Sequence, residues 1–246
     1  YYTYISKRIK LNTLRTKTTI FENKILPYFK DKRMCDIKPS DVIKWQNVMM
    51  ELETKNNKKF THDYLKTLHN QLSALFNYAV RFYNMKNNPA RIVGNMGKEQ
   101  TKEMNFWTKE EYLKFSNAIM DKEDIYHAFQ ILYWCGLRLG ELLALTREDI
   151  DLTKSTIRIN KSYQRINKQD VITDPKTAKS NRYVQMPDFL REEMEDYFTR
   201  IYDLKDTDRI FIISKSGLHH EMDRGCKISG VKRIRIHDLR HSHVSL

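Results

Sequence analysis

Two short stretches of the sequence carry side chains that could bind a phosphate. His237 and Arg240 are three residues apart, one helical turn, so both would project from one face. Much earlier in the chain, Arg138 lies in the run Gly-Leu-Arg-Leu-Gly-Glu. Two arginines and a histidine that converge would clamp a phosphate in its crowded, pentacoordinate state. The ordinary alternative is that His237, like His241 and His243, is a core histidine.

Arg138 and Glu141 are charged residues within the most apolar run of the chain, residues 128–145. The spacing of their apolar neighbours predicts that both lie on the buried face of one helix. Burying two charges costs free energy unless each has a partner. One interpretation is a self-satisfied ion pair. The other is that Glu141 orients the Arg138 guanidinium, so that its remaining donors face a phosphate oxygen.

The basic segment 174–182 holds two candidate proton donors, Lys176 and Lys179. An Asp-Pro turn between strand-like pieces predicts a hairpin with these lysines at its tip. Hairpin tips often display lysines to solvent without further role. The functional alternative is that Lys176 enters a DNA minor groove and protonates a departing 5′ oxygen, with Lys179 as its rival.

The positive charge is concentrated in the first part of the chain. The net charge is +13; residues 1–105 contain 20 Lys and Arg against 9 Asp and Glu, and the remainder contains 24 against 22. A basic module joined to a nearly neutral one favours a protein that binds a polyanion. Nucleic acid is the expected polyanion, because each contact of a Lys or Arg with a phosphate releases a counterion and so adds affinity. The alternative is a basic surface that serves solubility.

Cysteine usage and hydropathy narrow the class of protein. Cys35, Cys135 and Cys226 are far apart and odd in number, so zinc is not expected and a reducing cytosol is. Charged residues interrupt the most apolar run, so it does not predict a membrane span. No signal peptide is recognised, and no membrane partner is predicted.

The periodicity of apolar residues predicts a mainly α-helical protein with a small antiparallel β-sheet. Residues 1–95 are predicted to form a helical bundle, with Ser40 and Thr61 as helix caps. Residues 96–105 form a predicted linker. Residues 106–246 form a second helical domain, which opens on a capping box and carries a three-stranded antiparallel sheet.

The order and spacing of these stretches resemble a known family. A Gly-Leu-Arg-x-Gly-Glu stretch, a Pro-Lys-Thr segment and His-x-Leu-Arg-His are similar to the catalytic boxes of the tyrosine recombinases, the phage-type integrases. Ile-Leu-Pro-Tyr-Phe and Ile-Lys-Pro-Ser-Asp-Val resemble parts of that family's core-binding domain. The resemblance spans essentially the whole chain and is greatest to integrases of conjugative transposons of Gram-positive bacteria. It implies that Arg138, Lys176, His237 and Arg240 are catalytic, with Glu141 as acidic partner.

The sequence departs from the family pattern at its carboxyl end. The pattern places a His or Trp and then the nucleophilic tyrosine well beyond the second arginine, and no tyrosine follows Arg240. The nucleophile is therefore expected beyond Leu246, which makes 106–246 a truncated catalytic domain that alone forms no covalent link to DNA. An amino-terminal arm-binding domain is likewise expected outside these residues.

The resemblance implies a two-domain, C-shaped clamp around double-stranded DNA at the ends of a mobile element and its target. A tyrosine would attack DNA, form a 3′-phosphotyrosyl link and free a 5′ hydroxyl. Four protomers would exchange strands, with an excisionase-type directionality factor as a candidate partner and no metal or ATP as cofactor. The expected location is the bacterial cytoplasm, at the nucleoid. Two alternatives stay open: a type IB topoisomerase-like enzyme, and a non-catalytic DNA-binding protein of the same fold.

Overall fold

Apolar residues at helical spacing form most of the regular structure, as predicted. The computed structural model describes residues 1–54, 56–97, 105–166, 168–173 and 181–245. The chain divides into two compact units, Tyr1–Lys102 (unit 1) and Glu103–Leu246 (unit 2). Each unit has its own cluster of buried apolar side chains. No helix within the described ranges is both long enough and apolar enough to cross a bilayer.

Unit 1 is built from helices. They are α1 (Tyr2–Ile5), α2 (Leu11–Ile20), α3 (Leu26–Phe29), α4 (Pro39–Glu51), α5 (His62–Phe82) and α6 (Pro89–Val93), with a π-helical turn at Phe21–Ile25. Thr61 caps α5 as predicted, because its hydroxyl accepts a hydrogen bond from the Tyr64 amide. Ser40 is not a cap. Helix α4 already begins at Pro39, a residue suited to a first turn, and Asp41 accepts from the Lys38 amide at 2.9 Å.

Unit 2 contains the remaining helices and the strands. The helices are α7 (Lys109–Asn117), α8 (Glu123–Trp134), α9 (Leu139–Leu142), α10 (Asp188–Arg200), α11 (Lys215–Ser229) and α12 (Leu239–Val244). The predicted capping box starts α7. The Glu111 carboxylate accepts a hydrogen bond from the Thr108 amide at 2.9 Å, and the Thr108 hydroxyl accepts one from the Glu111 amide. Sequence analysis missed α11, whose two glycines weaken the helical signal. Gly225 has a packing role, since a Cβ there would lie 2.5 Å from the Phe115 ring.

Among the described residues the strands form a three-stranded antiparallel sheet, the number of strands predicted, and in addition a separate two-stranded pair. Strands β1 (Ile150–Asp151), β2 (Thr156–Ile159) and β5 (Arg182–Gln185) form one antiparallel sheet in the order β1-β2-β5. Strands β3 (Ser162–Ile166) and β4 (Gln169–Thr173) form a separate antiparallel pair. The prediction that the strands on either side of the basic segment pair with each other is wrong, because β4 pairs with β3 and β5 with β2.

Both sheets help to position the turn that carries Arg138. The register of β2 and β5 places Arg182 opposite Ile159, whose side chain is buried. Strand β3 packs against α9 at Gly140, where an added Cβ would lie 2.6 Å from the Ser162 hydroxyl and 3.2 Å from the Tyr163 carbonyl oxygen. The second glycine of the Gly-Leu-Arg-Leu-Gly-Glu run is therefore a point of close approach between helix and strand.

Candidate active site

Arg138 lies at a break between two helices, not on the buried face of one helix as predicted. Helix α8 ends at Trp134, and Gly136 turns the chain with a φ of 60°. Arg138 is the N-cap of the short helix α9. Its side chain is 51% exposed, so the expected burial of this arginine is wrong. Because the helix breaks here, the guanidinium can face outward from a buried backbone.

Glu141, by contrast, is buried, and it binds Arg138 twice. Its Oε2 accepts from the Arg138 backbone amide at 3.0 Å, and its Oε1 accepts from Arg138 Nη1 at 2.8 Å. The first contact is a helix-start hydrogen bond, which ties the carboxylate to the turn. The second fixes one corner of the guanidinium and leaves its other donors available. Glu141 thus contacts both the backbone and the guanidinium of Arg138, and its predicted role in orienting that guanidinium stays a prediction.

A second arginine, which sequence analysis did not single out, also binds Glu141. Arg182 Nη2 lies 2.8 Å from Glu141 Oε2, and Arg182 Nη1 lies 3.2 Å from Oε1. Burial raises the pKa of Glu141, but the hydrogen bonds from Arg182 and Arg138 outweigh it and hold the pKa below its usual value. Glu141 therefore stays ionised between the two arginines. Arg182 begins β5 and is distant in sequence, so no local pattern signals this pair.

His237 and Arg240 follow each other on consecutive short helices. His237 lies in a 3₁₀ turn, Ile236–Asp238, and Arg240 lies in the first turn of α12. Arg240 Nη1 donates to the backbone carbonyl oxygen of Gly136, which brings this guanidinium to the Arg138 turn. The His237 side chain is exposed, so the core-histidine alternative does not apply to it.

The cationic groups are close enough to perturb one another. Burial first, and then the guanidiniums of Arg182 and Arg138, lower the pKa of Arg240. Burial also lowers the pKa of His237, with smaller contributions from His241 and Arg138. Three arginines thus concentrate positive charge around one buried carboxylate. An anion bound among them would relieve this repulsion, and phosphate matches guanidinium donors in geometry.

His243 packs against the Gly136 turn that precedes Arg138. Its ring packs on Gly136, where an added Cβ would lie 2.5 Å from Cδ2 of the imidazole. Its Nδ1 is buried, and burial lowers the pKa of the imidazole. His241 is partly exposed, with its ring centroid 5.6 Å from that of His237. The core prediction therefore suits His243 better than His241.

Lys176 and Lys179 lie in 174–180, outside the described residues. Of the predicted site residues, the structure thus brings together Arg138, Glu141 and Arg240, and His237 lies near enough for Arg138 to lower its pKa slightly.

Comparison with known proteins connects this geometry to a family. Residues 96–245 match the Phage integrase family, and residues 1–50 match the N-terminal SAM-like domain of phage integrases. The chain belongs to the phage integrase family. This confirms the predicted resemblance to the tyrosine recombinases, and these matches do not favour the topoisomerase alternative. The match of 96–245 contains all the predicted site residues.

Individual members of the phage integrase family align along most of this chain. The ICEBs1 integrase of Bacillus subtilis (strain 168) is 29% identical over 255 residues, which cover 96% of this chain and 66% of that protein. The chain thus spans just under two thirds of this relative's length.

Solved structures of integrases share the fold. A Tn1549 transposon integrase in complex with a circular intermediate DNA superposes with a TM-score of 0.75 at 19% identity, covering 98% of this chain and 83% of that one. A lambda integrase dimer bound to a COC′ core site superposes with a TM-score of 0.70 at 17% identity, covering 100% and 67%. At these identities the likeness establishes the fold.

Proposed function

We propose that this chain is part of a site-specific DNA recombinase that integrates and excises a mobile element. The observation that carries the proposal is the meeting of Arg138 and Arg240 at the Gly136 turn, although they are far apart in sequence. Family membership supports the reaction class, and complexes of related integrases with DNA support double-stranded DNA as the substrate.

The two arginines would stabilise the charge that develops on the phosphate. A tyrosine hydroxyl of the complete protein would lose its proton to solvent and attack phosphorus, the bond to the 5′ oxygen would break, and a 3′-phosphotyrosyl link would form. The guanidiniums of Arg138 and Arg240 would donate to the two non-bridging oxygens, and His237 would donate from beside them. Lys176 would give its proton to the departing 5′ oxygen. Attack by a 5′ hydroxyl on the phosphotyrosyl link reverses these steps and reseals DNA.

The wider assembly follows from the same proposal. Residues 1–95 would be the core-binding domain and residues 106–246 the catalytic domain, with 96–105 as the linker, and both domains would bind the DNA. Four copies would exchange strands between the element ends and the target, with an excisionase-type factor setting the direction. Such a protein would act on the chromosome in the bacterial cytoplasm.

A covalent trapping experiment tests the proposal. The full reading frame that contains this chain is incubated with a nicked suicide duplex, built from the DNA that flanks the reading frame in its genome. A protein–DNA adduct joined at the 3′ phosphate should survive a denaturing gel. Arg138→Ala should abolish it, whereas Arg158→Ala, which removes an arginine from a structural ion pair, should not. The absence of any adduct with these junctions, or equal loss in both variants, would count against the proposal.

A further inference from the structure

Glu141 has two arginine partners, and Arg182 makes the more complete pair. Both terminal nitrogens of Arg182 face the two carboxylate oxygens, one on each (3.2 and 2.8 Å). Only one terminal nitrogen of Arg138 bonds to the carboxylate, at 2.8 Å. A two-point arginine–carboxylate pair fixes the orientation of both groups, which a one-point contact does not. The two-point contact with Arg182 therefore does more than the Arg138 contact to fix the orientation of the Glu141 carboxylate.

Exposure separates the two arginines in the same way. The Arg138 side chain is 51% exposed, that of Arg182 is 25% exposed, and that of Glu141 only 7%. When Arg138 turns toward a DNA phosphate, its hold on Glu141 would weaken. A buried carboxylate left without a cation is strongly unfavourable. Arg182 compensates that charge from a position that does not need to move.

The backbone of Arg182 is held firmly enough for this task. Arg182 opens β5, and its register partner in β2 is the buried Ile159. Sheet pairing therefore fixes the origin of the side chain, as is required for a group that aligns others. The charged groups that face Glu141 from the described elements around it are Arg138 at the start of α9, Arg182 on β5 and Arg240 on α12.

We propose that Arg182 is a positioning residue for DNA cleavage: it keeps Glu141 ionised and fixed, so that Glu141 can align Arg138 on the scissile phosphate. The part of this inference that concerns DNA cleavage rests on the proposed function. The structural part, that Arg182 controls the state of Glu141, is independent of it. Each part has its own measurement.

The first measurement follows the ionisation of Glu141 directly. The protein is labelled with ¹³C at glutamate side-chain carboxyls, and the Glu141 resonance, assigned with Glu141→Gln, is titrated with pH. Hydrogen bonds from Arg182 lower the pKa of Glu141 while burial raises it, so Arg182→Met should move the titration to higher pH. Arg158→Met is the matched control, because Arg158 on β2 binds another buried carboxylate, Asp149, at 3.1 Å. This control should leave the Glu141 titration unchanged.

The second measurement follows the rate of covalent adduct formation against pH in the full reading frame. Arg182→Met should slow cleavage on the order of 10- to 100-fold, by analogy with the loss of a residue that orients a metal ligand. The acid limb of its pH profile should move up with the Glu141 titration. Arg182→Lys, which keeps the charge but not the two-point contact, should restore part of the rate and carries the test if Arg182→Met does not fold. In a Glu141→Gln background, Arg182→Met should cost much less than it does alone.

Two results would overturn the inference. One is an unchanged Glu141 titration in a folded Arg182 variant. The other is equal slowing of cleavage by Arg182→Met and Arg158→Met, with no shift of the acid limb, which would leave Arg182 a merely structural role. If the wild-type protein forms no adduct at all, the proposed function fails, and the NMR titration still decides whether Arg182 controls Glu141.

Discussion

Gly136→Ala should destabilise unit 2 through two separable effects. The first is backbone strain, because Gly136 has a φ of 60°, a conformation that costs an L-residue about 1–2 kcal/mol. The second is a clash, since the new Cβ would lie 2.5 Å from Cδ2, 2.9 Å from Cγ and 3.3 Å from Cβ of His243. These are not atoms at the end of a flexible chain, so the imidazole must move. Overpacking of this kind costs about 1–3 kcal/mol.

A second glycine of unit 2 isolates the clash. Gly230, at the end of α11, has a φ of 71° and nothing within 4 Å of an added Cβ. Gly230→Ala should therefore cost only the strain, about 1 kcal/mol once the stiffer unfolded chain is counted. Gly136→Ala should lower the free energy of unfolding by about 2–4 kcal/mol, the sum of strain and overpacking.

Urea unfolding followed by tryptophan fluorescence measures both changes, since Trp107 and Trp134 lie in unit 2. His243→Ala removes the two ring atoms nearest the new Cβ. In a double-mutant cycle with Gly136→Ala it should therefore recover about 1–3 kcal/mol. Equal losses for Gly136→Ala and Gly230→Ala, or no coupling to His243→Ala, would refute the reasoning that the imidazole occupies the space beside Gly136.

Three further predictions concern DNA binding, acid stability and the proton donor. DNA affinity should fall steeply from low to moderate salt and reside largely in residues 1–105, which hold 20 basic against 9 acidic residues; flat binding in mobility-shift titrations would contradict this. Because the folded-state pKa of Glu141 is lowered, its contribution to stability is full above about pH 4.3, the unfolded value, and is lost as the pH falls through the folded value. Glu141→Gln should flatten this loss in urea midpoints measured across pH. Lys176→Ala should abolish cleavage of an ordinary phosphodiester. A DNA substrate with sulfur in place of the 5′ bridging oxygen, whose leaving group needs no proton, should restore cleavage by this variant. If that substrate restores cleavage by Lys179→Ala instead, Lys179 is the proton donor.

Local patterns in the sequence were sufficient for the fold class, several helix starts and the family. Thr61 and Thr108 cap the helices that they were predicted to cap, because a cap depends on a few neighbouring residues. The boxes around Arg138 and Arg240 could be recognised because each is a short run with fixed spacing. The asymmetry of charge along the chain is likewise a property of the sequence alone.

The tertiary structure decided how these pieces meet. The strand pairing predicted from the sequence was wrong, because the alternation of apolar residues shows which face of a strand is buried but not which strand lies beside it. Strand β5 pairs with β2, although β3 and β4 lie between them in the sequence. The exposure of Arg138 depends on a helix break at Gly136, a left-handed turn on which the ring of His243 packs. The contact of Arg182 with Glu141 spans 41 residues, and that of Arg240 with Gly136 spans 104. Hydrogen bonds between such distant segments leave no periodic trace in the sequence, so only the folded chain shows that two arginines share the buried carboxylate.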